Sequence, residues 1–408
     1  MGSFIDISRD GAARFQGYLS LPPGGQGPGV IILQEIFGVN AAIRAVADRY
    51  AQEGYVALAP DLFWKLRERV DLGYAEAEIG EALGLLQRFD MSSAVSDIGF
   101  AADALAARPE CQGGLGVVGF CLGGTLAILA ASDRRFRAAA SYYPALLEER
   151  LDALDRVSCP TVVHLGAADQ LIRPELLARI QERARANASI RIYQYPDAGH
   201  AFANPLRPEY RRHSANMAHT RSLEVLRPAI GPAYDLSQLW EEHVAQEYAF
   251  LDAAATVDTM VEDAYVNHVP NLTGGCGRKD LFNFYRHHFT NCHPGQFRIE
   301  PISRTVGADR IVDEAIFCFT HDREIDYLLP GVAPTGKYVE LPFVAVVEFR
   351  GSKLCHEHLY YDNATLLKQL GLVEFGDLPV SGREQAQKVR DESSVSSNAF
   401  IPGWNPLR

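Results

Sequence analysis

A six-residue stretch, Gly119-Phe120-Cys121-Leu122-Gly123-Gly124, constrains this chain more than any other. Ahead of it, Gly116-Val117-Val118 reads as a short buried strand; behind it, Thr125 to Ala131 reads as a buried helix. A strand that turns sharply into a helix, with glycine on both sides of one nucleophilic side chain, has the form of a nucleophile elbow. The glycines let the backbone fold back on itself, and the turn sets the nucleophile near the positive end of a helix. The elbow usually carries serine; here the central residue is cysteine. The plain alternative is a small core cysteine beside a glycine-rich turn, because free Cys is often buried.

The rest of the chain bounds the choice. Its 408 residues are enough for two or more domains, and 47% apolar with 22% charged residues is ordinary for a soluble globular protein. A net charge of −12 argues against nucleic acid and anionic membranes as partners, since both require clustered Lys and Arg. Seven cysteines without CxxC spacing support neither a disulfide framework nor a zinc ribbon, and a reducing, cytoplasmic location is expected. The N-terminal residues lack a basic and then apolar leader pattern, and no run of 18 apolar residues occurs.

Up to about residue 230, strands and helices alternate. A hairpin is predicted around Arg9-Asp10-Gly11. Buried strands follow at Val30 to Leu33, Tyr55 to Ala59, Ala138 to Tyr142, Thr161 to Leu165 and Ile190 to Tyr195. Helices are predicted near 41–53, 92–107 (capped by Ser92 or Ser93), 174–186 and 214–226. This half, residues 1–232, is therefore expected to be a doubly wound α/β domain with a mostly parallel sheet. Residues 60–90 give no clear pattern. In the second half, helices are predicted at 236–250, 253–263 and 278–289, then long alternating strands at 298–305, 310–320, 338–350 and 353–360. That order predicts an α+β domain over 236–373, followed by a Gly, Pro and Ser-rich tail from Glu374, either packed as an arm or disordered.

A nucleophile needs a base to take its proton and an acid to orient that base. Asp169 falls in the loop after the strand 161–165, and His200 in the loop after the strand 190–195. Open α/β sheets place their sites at these carboxyl ends. The order nucleophile, acid, histidine is that of α/β-hydrolases. A fourth residue, Glu35, lies in Leu33-Gln34-Glu35-Ile36-Phe37-Gly38 on the same edge, beside the two backbone amides expected to form an oxyanion hole, those of Ile36 and Leu122. Glu35 could hold the thiol protonated, take its proton once substrate rearranges the site, or simply pair with an arginine.

Together, Leu33 to Asn40, Ala59-Pro60-Asp61-Leu62-Phe63, Gly119 to Gly124 and Ala198-Gly199-His200-Ala201-Phe202 resemble the dienelactone hydrolase (carboxymethylenebutenolidase) family over residues 1 to 230. The resemblance implies a Cys121, Asp169 and His200 triad with Glu35, and hydrolysis of an enol-lactone or related ester through a thiol ester. It also implies that substrate swings the glutamate to deprotonate the cysteine, and that His200 activates the water that cleaves the acyl-enzyme. The family's two carboxylate-binding arginines fall here on Asn204 and Ile79. Arg207 or Arg88 could substitute, with Phe37 lining the same pocket, or the substrate lacks that carboxylate.

The second half resembles the SnoaL-like (NTF2-like) α+β cone through Tyr265 to Pro270, Phe284-Tyr285, Leu329-Pro330-Gly331 and Glu357 to Asp362. Such cones host cyclases, isomerases and dehydratases and also binding or dimerisation modules. His268, Asp326, His358 and Asp362 are the polar groups expected in its pocket, and a homodimer through this domain is expected. His287, His288, Cys292 and His293 do not form a convincing metal set, because adjacent helical residues point different ways. No metal or organic cofactor is expected, and the partner is a small-molecule ester or lactone. The rival readings are a bifunctional enzyme, a thiol redox protein using Cys111 or Cys159, and a non-catalytic binding protein.

Overall fold

The computed structural model describes residues 2–10 and 13–404, so the tip of the expected N-terminal hairpin at Gly11 lies outside the described residues. The chain divides into two compact units, residues 1–233 and 234–408.

The first unit is built on eight strands: β1 (Ser3–Asp10), β2 (Ala13–Ser20), β3 (Gly27–Leu33), β4 (Val56–Pro60), β5 (Cys111–Phe120), β6 (Phe136–Tyr142), β7 (Thr161–Gly166) and β8 (Ile190–Tyr195). They lie in the order β1-β2-β4-β3-β5-β6-β7-β8. From β4 to β8 all pairings are parallel, and β1 and β2 add an antiparallel edge. This is the α/β-hydrolase type of sheet, mostly parallel and covered on both faces. Val30 to Leu33 are completely buried, as continuous apolar runs in such a sheet must be.

Parallel strands need crossovers, and helices Ala41–Gln52, Met91–Ala106, Leu122–Ala130 and Pro174–Ala186 supply most of them, while Arg212–Ile230 follows the last strand. The second of these is capped by Asp90, not by Ser92 or Ser93. The Asp90 carboxylate accepts from both serine amides, a stronger cap than either hydroxyl could provide from inside the first turn. The unpatterned stretch 60–90 is a run of turns pinned by buried Asp61, which accepts from the Phe63 and Arg69 amides, followed by a helix Glu76–Gln87.

The second unit has six strands: β9 (Met260–His268), β10 (Thr273–Cys276), β11 (Phe297–Val306), β12 (Arg310–Thr320), β13 (Tyr338–Arg350) and β14 (Lys353–Tyr361). Their order is β10-β9-β14-β13-β12-β11, antiparallel throughout except for the parallel β14–β9 pair. The helix expected at 253–263 stops at Asp258, and β9 begins at Met260. Ala264, Val266 and His268 point inward at period two, which settles that stretch as strand. One face of the sheet, carrying Phe317 and Phe319, packs on helices that contribute Trp240, Val257, Leu281 and Phe284. On the opposite face, Ile316 and Cys318 are covered by Ala386 and Val389 from the tail helix Glu384–Arg390. Arg390 fixes that helix through Glu300 at 2.8 Å and Glu340 at 2.9 Å.

Candidate active site

Cys121 stands between β5 and its helix at φ +55° and ψ −113°, a backbone conformation costly for any residue with a side chain. Three glycines make the turn possible. A Cβ on Gly119 would sit 1.9 Å from the Gly123 carbonyl oxygen; on Gly123, 2.3 Å from that of Leu33; on Gly124, 2.6 Å from that of Tyr142. The turn is held by the Cys121 amide donating to Tyr142 O (3.0 Å) and the Gly123 amide donating to Gln34 O (3.0 Å). Tyr143, Leu146 and Ala201 also have positive φ, and they too follow strands of this edge. Strain is therefore concentrated at the carboxyl end of the sheet.

Asp169 and His200 meet there. His200 Nδ1 lies 2.9 Å from Asp169 Oδ2, and Asp169 is fixed in turn by the Leu171 amide at 2.9 Å. Burial alone would depress the His200 imidazole. Its hydrogen bond to Asp169 and the nearby Cys121 sulfur outweigh that and carry its pKa up to about 10. The imidazole is thus placed between an acid and the sulfur.

Glu35 is buried beside them. Among the described residues no arginine pairs with it: Asn204 Nδ2 donates to Oε2 at 3.0 Å and the Tyr143 hydroxyl donates to Oε1 at 3.3 Å. Burial pushes its carboxyl above the usual range, while His200, Asn204, Arg207 and Tyr143 each oppose that shift. Tyr143 also stacks edge-on against His200, ring centres 5.1 Å apart, and its own phenol is pushed far up by burial and by Glu35. Asn204 further donates to the Tyr74 hydroxyl at 2.7 Å.

The amides of Ile36 and Leu122 donate to no acceptor among the described residues, leaving both available to a ligand. Phe37 is buried edge-on against Tyr74 at 4.8 Å. Arg207 reaches the same wall, its guanidinium 5.1 Å from the Tyr74 ring, but it is engaged by Glu209 at 3.2 Å. Arg88 is exposed just past the helix Glu76–Gln87 and makes no side-chain contact with these residues; Ile79 packs into the core. Tyr74 and Tyr143 escape the sequence reading. Tyr143 directly follows β6 on the loop edge, a position that could have marked it.

The redox reading loses its partners. Cys111 opens the ten-residue β5 that Cys121 terminates, roughly 30 Å away at strand rise. Cys159 precedes β7 on that same far edge, and no disulfide joins any of the seven cysteines.

The four polar residues expected in a second-unit pocket are not brought together. His268 is buried among Phe284, Phe289 and Tyr327. His358 lies on the other face of β14, beside His356 and Tyr265. Asp326 pairs with exposed His288 at 2.9 Å, and Asp362 caps the helix Asn363–Leu370.

The first unit is similar to known proteins. A carboxymethylenebutenolidase of Pseudomonas sp. (strain P51) is 34% identical over 224 residues, 55% of this chain and 94% of that protein. Another, from Pseudomonas putida, is 33% identical over 225 residues, 55% of this chain and 95% of that one. Among solved structures, a dienelactone hydrolase-like promiscuous phosphotriesterase from metagenomic libraries is similar at 25% identity and a TM-score of 0.49, over 57% of this chain and 99% of that one. The sequence profile of the dienelactone hydrolase family matches residues 15–230. With more than half its length matched, the chain belongs to the dienelactone hydrolase family and is an ester or lactone hydrolase.

Proposed function

We propose that the first unit hydrolyses an enol-lactone or related ester through a thiol-ester acyl-enzyme on Cys121. The observation that carries this reading is the strained Cys121 turn set against a His200 that is hydrogen-bonded to Asp169 at 2.9 Å. Cys121 sulfur attacks the carbonyl carbon, and the oxyanion is taken by the Ile36 and Leu122 amides. The ring C–O bond breaks and the enolate leaves. An enolate leaves more readily than an alkoxide, which suits a sulfur nucleophile. Protonated His200 gives its proton to that enolate; the neutral ring then removes a proton from water, hydroxide cleaves the thiol ester, and the sulfur is released as thiolate, which takes back the proton held by Glu35. Glu35 is the proton acceptor for the thiol once substrate breaks its bonds to Asn204 and Tyr143.

The substrate is a neutral ester or lactone. Asn204 occupies the position of a carboxylate-binding arginine and is spent on Glu35, and Arg207 is neutralised by Glu209. We read residues 236–373 as a SnoaL-like binding domain and expect it to pair with a second copy. The chain works in the cytoplasm, a setting that suits seven cysteines with no disulfide.

The test is hydrolysis of aryl esters and enol-lactones, with and without a carboxylate, by wild type and Cys121→Ala. Turnover of neutral substrates that vanishes in Cys121→Ala is expected. Turnover that survives Cys121→Ala would refute the nucleophile, and preference for carboxylate-bearing lactones would refute the substrate class.

A further inference from the structure

In the second unit, the helix Leu236–Ala245 runs directly into a π-helical turn, Gln246–Phe250. That junction sets His243 and Glu247 one turn apart, with His243 Nε2 3.1 Å from Glu247 Oε1. Glu357, from the interior strand β14, brings Oε2 to 3.8 Å from the same nitrogen. All three residues are buried, at 0%, 3% and 2% exposure. Among the described residues, no Lys or Arg forms an ion pair with either carboxylate, and Glu357 Oε2 has no hydrogen-bond partner. Two buried carboxylates without a compensating cation are expensive.

The orientation of the His243 ring is set from its other side. The Thr259 hydroxyl donates to Thr256 O at 2.6 Å, so it can only accept from His243 Nδ1, 2.6 Å away. Nδ1 therefore carries hydrogen, and Nε2 is the ring nitrogen that faces the two carboxylates. A metal-binding histidine is oriented in this way, with its remote N–H donated to an oxygen. Three electron-pair donors converge, and either a proton or a metal cation between them offsets their repulsion.

We propose that His243, Glu247 and Glu357 bind one divalent transition-metal ion of the Zn2+ or Mn2+ class. Imidazole nitrogen with carboxylate oxygen suits these ions. The donor separations of 3.1 and 3.8 Å bracket the roughly 3.3 Å expected between neighbours around an ion bound at about 2.0–2.1 Å. A second π turn, Tyr285–Phe289, brings in Tyr285, whose ring centre is 6.4 Å from that of His243 and whose buried hydroxyl makes no hydrogen bond. π turns of this kind cluster at functional positions. The ion would tie the first helix of the unit to the middle of its sheet.

The experiment strips the untagged full-length chain with a chelator and dialyses it against Zn2+, Mn2+ or Co2+ alone. Bound metal is counted by elemental analysis, and the Co2+ spectrum is recorded. One equivalent per chain is expected, with weak visible d–d absorption, no intense near-ultraviolet thiolate band, and a higher Tm. Glu357→Gln should weaken binding by at least about tenfold and remove the Tm gain. Failure of wild type to bind any of the three ions would overturn the proposal and leave three groups held by protons. Undiminished binding in Glu357→Gln, or a thiolate band, would overturn it by placing the ion elsewhere. If Glu357→Gln does not fold, His243→Asn and the wild-type cobalt spectrum decide.

Discussion

Asn204 donates its side-chain amide to Glu35 across 169 residues of chain, 3.0 Å from Oε2. With the Tyr143 hydroxyl on the other oxygen, that bond fixes the orientation of the carboxylate beside Cys121, and the side chain making it is neutral. Replacing it with Asn204→Leu removes a hydrogen bond that favours the charged form, so the Glu35 pKa must rise further. The acid limb of the kcat/KM–pH profile should then move to higher pH. An unmoved limb would show that Glu35 does not titrate in the rate-determining step.

Asn204→Arg tests the substrate side of the same position. A hydrogen bond to a charged group is worth ~1.5–3 kcal/mol. KM for carboxylate-bearing lactones should fall by at least about tenfold, with little change for neutral esters. Equal effects on both classes would mean that this position does not face the substrate.

His200→Ala should lower kcat by roughly 10²–10⁴, the usual contribution of a positioned acid–base group. It also carries a stability signature. The folded pKa of about 10 lies above the ordinary value of 6.5, so the protonated form is the one the fold favours. That stabilisation is fully present below about pH 6.5 and is lost as pH rises toward 10. The Tm difference between wild type and His200→Ala should therefore shrink across that interval.

Gly123→Ala places a methyl 2.3 Å from the Leu33 carbonyl oxygen and 2.7 Å from that of Gln34. Such overpacking costs ~1–3 kcal/mol. The strand-to-loop segment that carries Glu35 and Ile36 must shift to make room. A lowered Tm and lost turnover are expected together; full turnover would mean that the elbow tolerates the shift.

A chain ending at residue 381 removes the tail helix whose Ala386 and Val389 cover Ile316 and Cys318. Cys318, 2% exposed in the full chain, should then be alkylated at a rate approaching that of exposed Cys276, as read by peptide mass spectrometry. Continued protection would show that something other than the tail shields that face.

What the sequence revealed and what it hid have a common cause. Cys121, Asp169 and His200 were legible because each follows a strand whose apolar run is unmistakable, and a parallel sheet gathers the loops after its strands on one edge. The partners of Glu35 were not legible. Tyr143 and Asn204 reach it from 108 and 169 residues away, and no local pattern encodes such meetings. The 253–263 stretch misleads because its Ala-rich start is helical, while the inward period-two pattern that makes it a strand begins only at Met260. The His243, Glu247 and Glu357 cluster joins helix to strand, so spacing marks only the His243–Glu247 half of it.

The length of β5 has a last consequence, for the chemistry of oxygen. With Cys111 at one end of the strand and Cys121 at the other, the first unit offers its site sulfur no neighbour with which to trade a disulfide. Peroxide that reaches Cys121 leaves a sulfenic acid whose repair depends on a small thiol arriving from solution. With Cys121 as the proposed nucleophile, activity under oxidative stress would follow the surrounding thiol pool, with no disulfide switch inside that unit to buffer it.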